Sequence, residues 1–198
     1  TIGQDLYRNA QYQRVATTFV QGWQVAYDAH VDATGLVPGD SQTDPAGRIN
    51  ADGSRLCDDA LLNTFLAAGV TLPDGRAEGE QDRFVYQDSN GNPQSVRVCL
   101  QTVDWSVPGS AVGTYDTRPR NVLVLENLTP SLARYLDNAI DGKPDARFGR
   151  LRESTQAADT GAAGQLWSVD DRTNIAGAAV ARDEDQTAVV TGLYLMNR

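Results

Sequence analysis

Two carboxylates stand where helix physics disfavours them. Asp137 and Asp141 lie four residues apart, on one face of what reads as the last turn of a helix. Carboxylates there oppose the helix macrodipole and repel each other, by roughly a few tenths of a kcal/mol for each effect. Something must offset this. The expected partners are Lys143, Arg147 or Arg150, or backbone amides of the Asp-Gly-Lys-Pro turn. The alternative is a calcium ion on Asp137, Asp141 and Asp145, since hard cations take clustered carboxylates and carbonyls. No other cofactor is expected. His30 is the only histidine and falls on an apolar helix face; with no Gly-x-Ser-x-Gly beside it, Ser-His-Asp hydrolysis has no support. The chain has neither a histidine cluster for zinc nor a phosphate-binding glycine loop. Asp88-Ser89-Asn90-Gly91-Asn92 imitates a calcium loop in part, but Pro93 stands where glycine is needed and no bidentate glutamate follows. It reads as a hairpin turn, and no enzymatic activity is expected.

Cys57 and Cys99 are the only cysteines, with no Cys-x-x-Cys spacing, so a thiolate metal cage or a dithiol redox motif is not indicated. The pair reads as one disulfide formed in an oxidising compartment, with two separate buried thiols as the alternative. Closing that loop stabilises a fold by roughly 4 kcal/mol in the chain-entropy account.

The elements that position these residues follow from hydrophobic period. Ile2, Leu6, Ala10, Tyr12, Val15, Ala16, Phe19, Trp23, Ala26, Tyr27 and His30 recur at helical steps, with polar residues between them. This predicts one long helix over 1–32, with Phe19, Trp23 and Tyr27 packing its C-terminal half onto a head (33–198) and its N-terminal half projecting. Residues 33–54 are rich in Gly, Pro and Asp and read as a long surface loop. Ser54 is expected to cap a helix whose stripe is Leu56, Ala60, Leu61, Thr64, Phe65 and Ala68, ended by Gly69. Alternation predicts strands at 83–87 and 95–101 joined by a hairpin turn. Residues 106–119, with Pro108, Gly109, Gly113 and Pro119, read as loop, and 122–125 as a buried strand. Thr129 caps a helix with Pro130 in its first turn and Leu132, Ala133, Leu136, Ala139 and Ile140 as its stripe, stopped by Gly142. A loop at 153–165 and a strand at 187–196 complete an α+β fold of a single domain: a long N-terminal helix on an antiparallel sheet, with short extra helices.

Charge limits the partners. The 198 residues include 17 basic and 26 acidic side chains, a net charge of −9, which argues against nucleic acid as a main partner. No run of about 18 apolar residues and no signal segment is present, so the sequence reads as cytosolic or as a processed or truncated exported chain.

Two stretches carry a family resemblance. After the aromatic-rich helix end comes Asp32-Ala33-Thr34-Gly35-Leu36-Val37-Pro38-Gly39-Asp40, followed by a helix ending Leu66-Ala67-Ala68-Gly69-Val70. Later, Asp137-Asn138-Ala139-Ile140-Asp141-Gly142-Lys143-Pro144 runs into Gly149-Arg150-Leu151-Arg152. This ordered set resembles the prepilin-type family: type IV pilins, minor pilins and the pseudopilins of type II secretion. The likeness covers 10–152 in pieces, and Pro38, Gly39, Asp40, Asp141, Gly142 and Pro144 are its motif turns. It implies a pilin-like fold and a structural subunit, minor pilin or pseudopilin, that assembles with other such subunits through the N-terminal helix. It also implies an inner-membrane and filament segment ahead of Thr1, export, passage through inner membrane and periplasm, and a place in a pilus or pseudopilus. Residues 153–198 match no pattern of the family, and a Cys57–Cys99 pair differs from the C-terminal pilin disulfide, which favours a minor subunit. A secreted carbohydrate- or calcium-binding adhesion module is the alternative.

Overall fold

The computed structural model describes residues 2–73, 81–161, 163–179 and 186–198. Its first element is an unbroken helical rod. Helix α1 (Ile2–Arg14) passes into a π-helical segment (Val15–Val20) and then into α2 (Gln21–Thr34), closed by Gly35 in the left-handed conformation at φ 71°. The wider π turns fall where Val15, Thr17, Thr18 and Val20 bring four β-branched side chains into six residues. Such side chains are stiff and crowd an α-helical turn. Along the rod burial begins at Gln11 and Tyr12, while Leu6 and Tyr7 are exposed; the side chain of Ile2 lies outside the described residues.

A five-stranded antiparallel sheet receives the rod. Strands β1 (Arg83–Gln87), β2 (Pro93–Pro108), β3 (Tyr115–Leu128), β4 (Leu151–Glu153) and β5 (Val190–Leu195) are ordered β1-β2-β3-β5-β4. The β1–β2 hairpin forms over the expected segments, with Gln87 opposite Pro93. Its turn is built on Asp88, whose Oδ1 accepts from the amides of Asn90 and Asn92, each at 2.9 Å. Leu123, Leu100 and Tyr194 stand in register on one face, and Val124, Cys99 and Leu193 on the other. All but Leu193 and Tyr194 are completely buried, and those two nearly so. Burial on both faces explains why 122–125 is a continuous apolar run rather than an alternating one.

The first face carries the larger core. Phe19, Trp23 and Tyr27 from the rod meet Phe65, Phe84, Tyr86 and Leu100 there. Helix α3 (Asp58–Ala67) adds Leu61 and Phe65, and α4 (Pro130–Asp141) adds Leu132, Ala133 and Leu136. Thr129 caps α4, accepting from the Leu132 amide at 3.3 Å, with Pro130 in the first turn and Gly142 closing the helix at φ 75°. Asp171 caps it a second time, its Oδ1 taking the Ser131 amide at 2.8 Å and the Ser131 hydroxyl at 2.7 Å. The strap containing Asp171 (163–173) also receives the Arg134 guanidinium on the Ser168 carbonyl.

The second face is closed by the chain bending over itself. Trp105, Val122, Val124 and Leu193 form a smaller core with Ala157, and the Ser106 amide donates to the Ala157 carbonyl at 2.9 Å. Arg152 lies inside this layer, its guanidinium 4.1 Å from the Trp105 ring centroid. It donates to the carbonyls of Gly149, Ser106 and Ala157 and to the Ser106 hydroxyl. Burial pushes this arginine down to about 10, against the opposite pull of Asp141 and Asp145.

Four expectations are corrected. Ser54 caps no helix: α3 begins at Asp58 after the extended Cys57, which makes no side-chain cap. Leu56 belongs to no helix, and it exchanges both backbone hydrogen bonds with Leu100, at 2.8 and 2.9 Å. Residues 106–119 are mostly strand. Pro119 pairs opposite Asp104 in the part of β3 beyond its pairing with β5, and Pro108 ends β2, so neither proline breaks the ladder. The last strand spans only Val190–Leu195, and the three-residue β4 has no expectation behind it.

Candidate assembly surface

The rod has one anchored face and one free one. Phe19, Trp23 and Tyr27 are completely buried. Trp23 meets Phe65 edge-on at 5.4 Å between centroids and donates its indole N–H to the Gln81 carbonyl at 3.2 Å. Phe19 meets Phe84 at 5.5 Å, and the Tyr27 phenol donates to the Arg198 carbonyl. On the opposite side Leu6, Ala10, Gln13, Thr17, Gln21, Val25 and Ala29 succeed one another at helical steps; none is charged, and all are exposed. Leu6 and Val25 are 66% and 62% exposed, high values for aliphatic side chains on a helix held against a core. Beside this stripe a groove of about 250 Å³ separates the rod from α4, lined by Ala16, Val20, Gln21, Ala139 and Ile140.

The first motif turn organises the loop that follows the rod. Asp40 Oδ1 accepts from the amides of Ser41 (2.8 Å) and Ala46 (3.1 Å), and Oδ2 from that of Gly47 (2.7 Å). Slight burial would raise its carboxyl, but these amides outweigh it and hold Asp40 below the usual carboxylate range. Gly39 sits at φ 79° against Asn50, where a Cβ would come within 2.4 Å of Asn50 Oδ1. The Pro38 carbonyl accepts from the Asn50 amide at 3.3 Å. Past this loop the Cys57–Cys99 disulfide ties the entry to α3 to β2.

At the second motif turn both aspartates are answered by backbone. Asp141 accepts from the amides of Arg150 (2.9 Å) and Leu151 (3.0 Å). Asp137 Oδ2 accepts from the Asp145 amide (2.7 Å) and the Trp167 indole (2.6 Å). The expected side-chain partners are used elsewhere. Arg147 pairs with Asp159 at 2.9 Å, Arg150 donates its guanidinium to the Leu195 carbonyl and Asn197 Oδ1, and Lys143 is exposed. Asp145 Oδ1 takes the amides of Arg147, Phe148 and Gln165. The aspartates are therefore turned onto backbone, and among the described residues no group of three or more His, Cys, Asp or Glu side chains is arranged for a metal ion. Gly142 donates to the Asn138 carbonyl at 2.9 Å as the helix cap, and Pro144 follows, where no helix can continue. His30 is buried and lies 5.2 Å from the Phe65 ring, with Nδ1 3.2 Å from the Leu36 carbonyl. Burial holds its imidazole below the usual value, against the pull of that carbonyl.

Sequence reasoning misses Asn121. It donates to the Gly47 and Arg198 carbonyls (3.0 and 3.1 Å) and accepts from the Thr102 hydroxyl at 2.6 Å. The only signal for it is its place at the head of a buried strand.

No helix among the described residues is long and apolar enough to cross a membrane. Comparison with protein-family models, curated proteins and solved structures returns no match to the chain.

Proposed function

We propose that this chain is the head and lower helix of a prepilin-type structural subunit, a minor pilin or pseudopilin, that acts by assembly and not by catalysis. One observation carries the reading: a helix locked to its own core by three large aromatics presents an outward stripe, from Leu6 to Ala29, that holds no charged side chain and leaves Leu6 and Val25 exposed. In a chain with 22% charged residues, a solvated helix face has no need to exclude charge, whereas a face that meets other rods does. The ordered motif turns support the same reading, and the disulfide suits an exported protein. On this reading the partners are further subunits, reached through the rod. An apolar segment ahead of the rod holds the subunit in the inner membrane before assembly, and the sheet and loops form the outer surface of a pilus or pseudopilus.

The test substitutes Gln21→Glu and Val25→Glu together in the full reading frame, in the cells that make the protein. The expected double variant melts like the wild type and is lost from the sheared filament fraction, where the wild-type chain is recovered. A variant that enters filaments normally, or a wild-type chain absent from them, overturns the reading.

A further inference from the structure

Asp88 and Asp137 are both almost wholly withdrawn from water, and they are furnished differently. Asp88 uses both oxygens: Oδ1 takes two amides, and Oδ2 takes the Gln94 carboxamide at 3.1 Å. At Asp137 both donors meet Oδ2; no donor reaches the buried Oδ1, and the only side-chain hydrogen bond open to the carboxyl beyond these is one to the Asp141 carboxyl, which needs a proton between the two. The side chain is 0% exposed, and the carboxyl of Asp141 lies beside it. A buried carboxylate with an unsatisfied oxygen and a like charge nearby is costly, and the neutral acid relieves both costs. Asp137 also joins three pieces of chain: α4, the turn after it through the Asp145 amide, and the strap through the Trp167 indole.

We propose that Asp137 is a proton-operated latch: as the neutral acid it holds the strap 163–173 and the turn at Asp145 against α4, and its ionisation loosens both. Burial first, and Asp141 second, push the Asp137 carboxyl up to about 8, while the Trp167 indole and the Asp145 amide pull the other way. The folded state thus binds this proton more tightly than the unfolded chain does. The stabilisation is complete below about pH 4 and is lost as pH rises through about 8. Charged side chains on the elements packed around it are Arg134 and Asp141 on α4, Asp5, Arg8 and Arg14 on α1, Lys143, Asp145 and Arg147 after α4, Arg152 and Glu153 on β4, and Asp170, Asp171 and Arg172 on the strap. Of these, the charge acting on Asp137 is that of Asp141. The one histidine, His30, is held below its usual value and titrates on the acid side of this event.

The reporter is built in. With tryptophans labelled with nitrogen-15, the indole N–H signals are followed from pH 5 to pH 9.5, and that of Trp167 is assigned by its loss in Trp167→Phe. The Trp167 signal is expected to shift with a midpoint near pH 8 while those of Trp23 and Trp105 stay in place, and amide exchange across 163–173 is expected to gain about tenfold beyond base catalysis alone. Asp137→Asn keeps an acceptor for the indole and cannot ionise, so its Trp167 signal is expected to stay at the low-pH position throughout. Should that variant fail to fold, Asp141→Asn removes the neighbouring charge and is expected to lower the midpoint by about one pH unit. A wild-type Trp167 signal flat to pH 9.5, a transition that survives in Asp137→Asn, or a midpoint unmoved in Asp141→Asn overturns the latch.

Discussion

Tyr27 and Asn121 donate to one acceptor, the carbonyl oxygen of Arg198. The rod and the central strand are thereby fastened to each other through the last residue of the chain, and Asn121 reaches on to Gly47 in the long loop. Tyr27→Phe removes one such bond at constant shape and is expected to cost about 1 kcal/mol. Asn121→Ala removes two donated bonds and one accepted bond from a buried site and is expected to cost about 2–3 kcal/mol. Denaturant melts of the two single variants and the double variant check this. The double variant is expected to fall short of the summed losses, because the two bonds share an acceptor.

Trp23 holds the rod where it meets α3. It is completely buried against Phe65, and its indole is bonded to the Gln81 carbonyl. Trp23→Ala is expected to cost roughly 3–5 kcal/mol through the cavity it leaves. A chemical melt unshifted from wild type would contradict the packing described for the rod.

Asp40 orders the long loop by accepting three amides. Its folded carboxyl lies below the usual range, so its contribution is present above about pH 4 and is lost as pH falls through the depressed value. Asp40→Ala is expected to cost on the order of 1 kcal/mol, since the turn is open to water, and to raise amide exchange at Ala46 and Gly47. The same exchange is expected in the wild type as pH falls through that depressed value. A loop equally protected in both chains at neutral pH would refute this role.

Much of the frame was legible because period and punctuation agreed. The rod, the β1–β2 hairpin, the run 122–125 and α4 between Thr129 and Gly142 each had a hydrophobic pattern with its own stop signals. The misreadings came where local signs and long-range contacts disagreed. Ser54 precedes an apolar run and looks like a cap, but Leu56 is claimed by Leu100 across the sheet, and the helix waits until after Cys57. Pro108 and Pro119 look like loop residues, yet each stands where no strand needs its missing N–H. At the candidate surface the anchors Phe19, Trp23 and Tyr27 were visible in their spacing. The answers to Asp137 and Asp141 were not, because backbone amides and an indole 30 residues away leave no signature in residue type.

Covering the sheet on both sides has a further consequence, for where this protein can change. In the central run Val122–Leu125 a residue of either parity points into close packing, so this stretch has little freedom to vary in residue size. Latitude is concentrated at the exposed hairpin tips, 89–92 and 110–114, and above all at Val112, which stands wholly in solvent. An epitope tag or dye spliced beside Val112 would sit at the tip of the β2–β3 hairpin and would report on the intact protein.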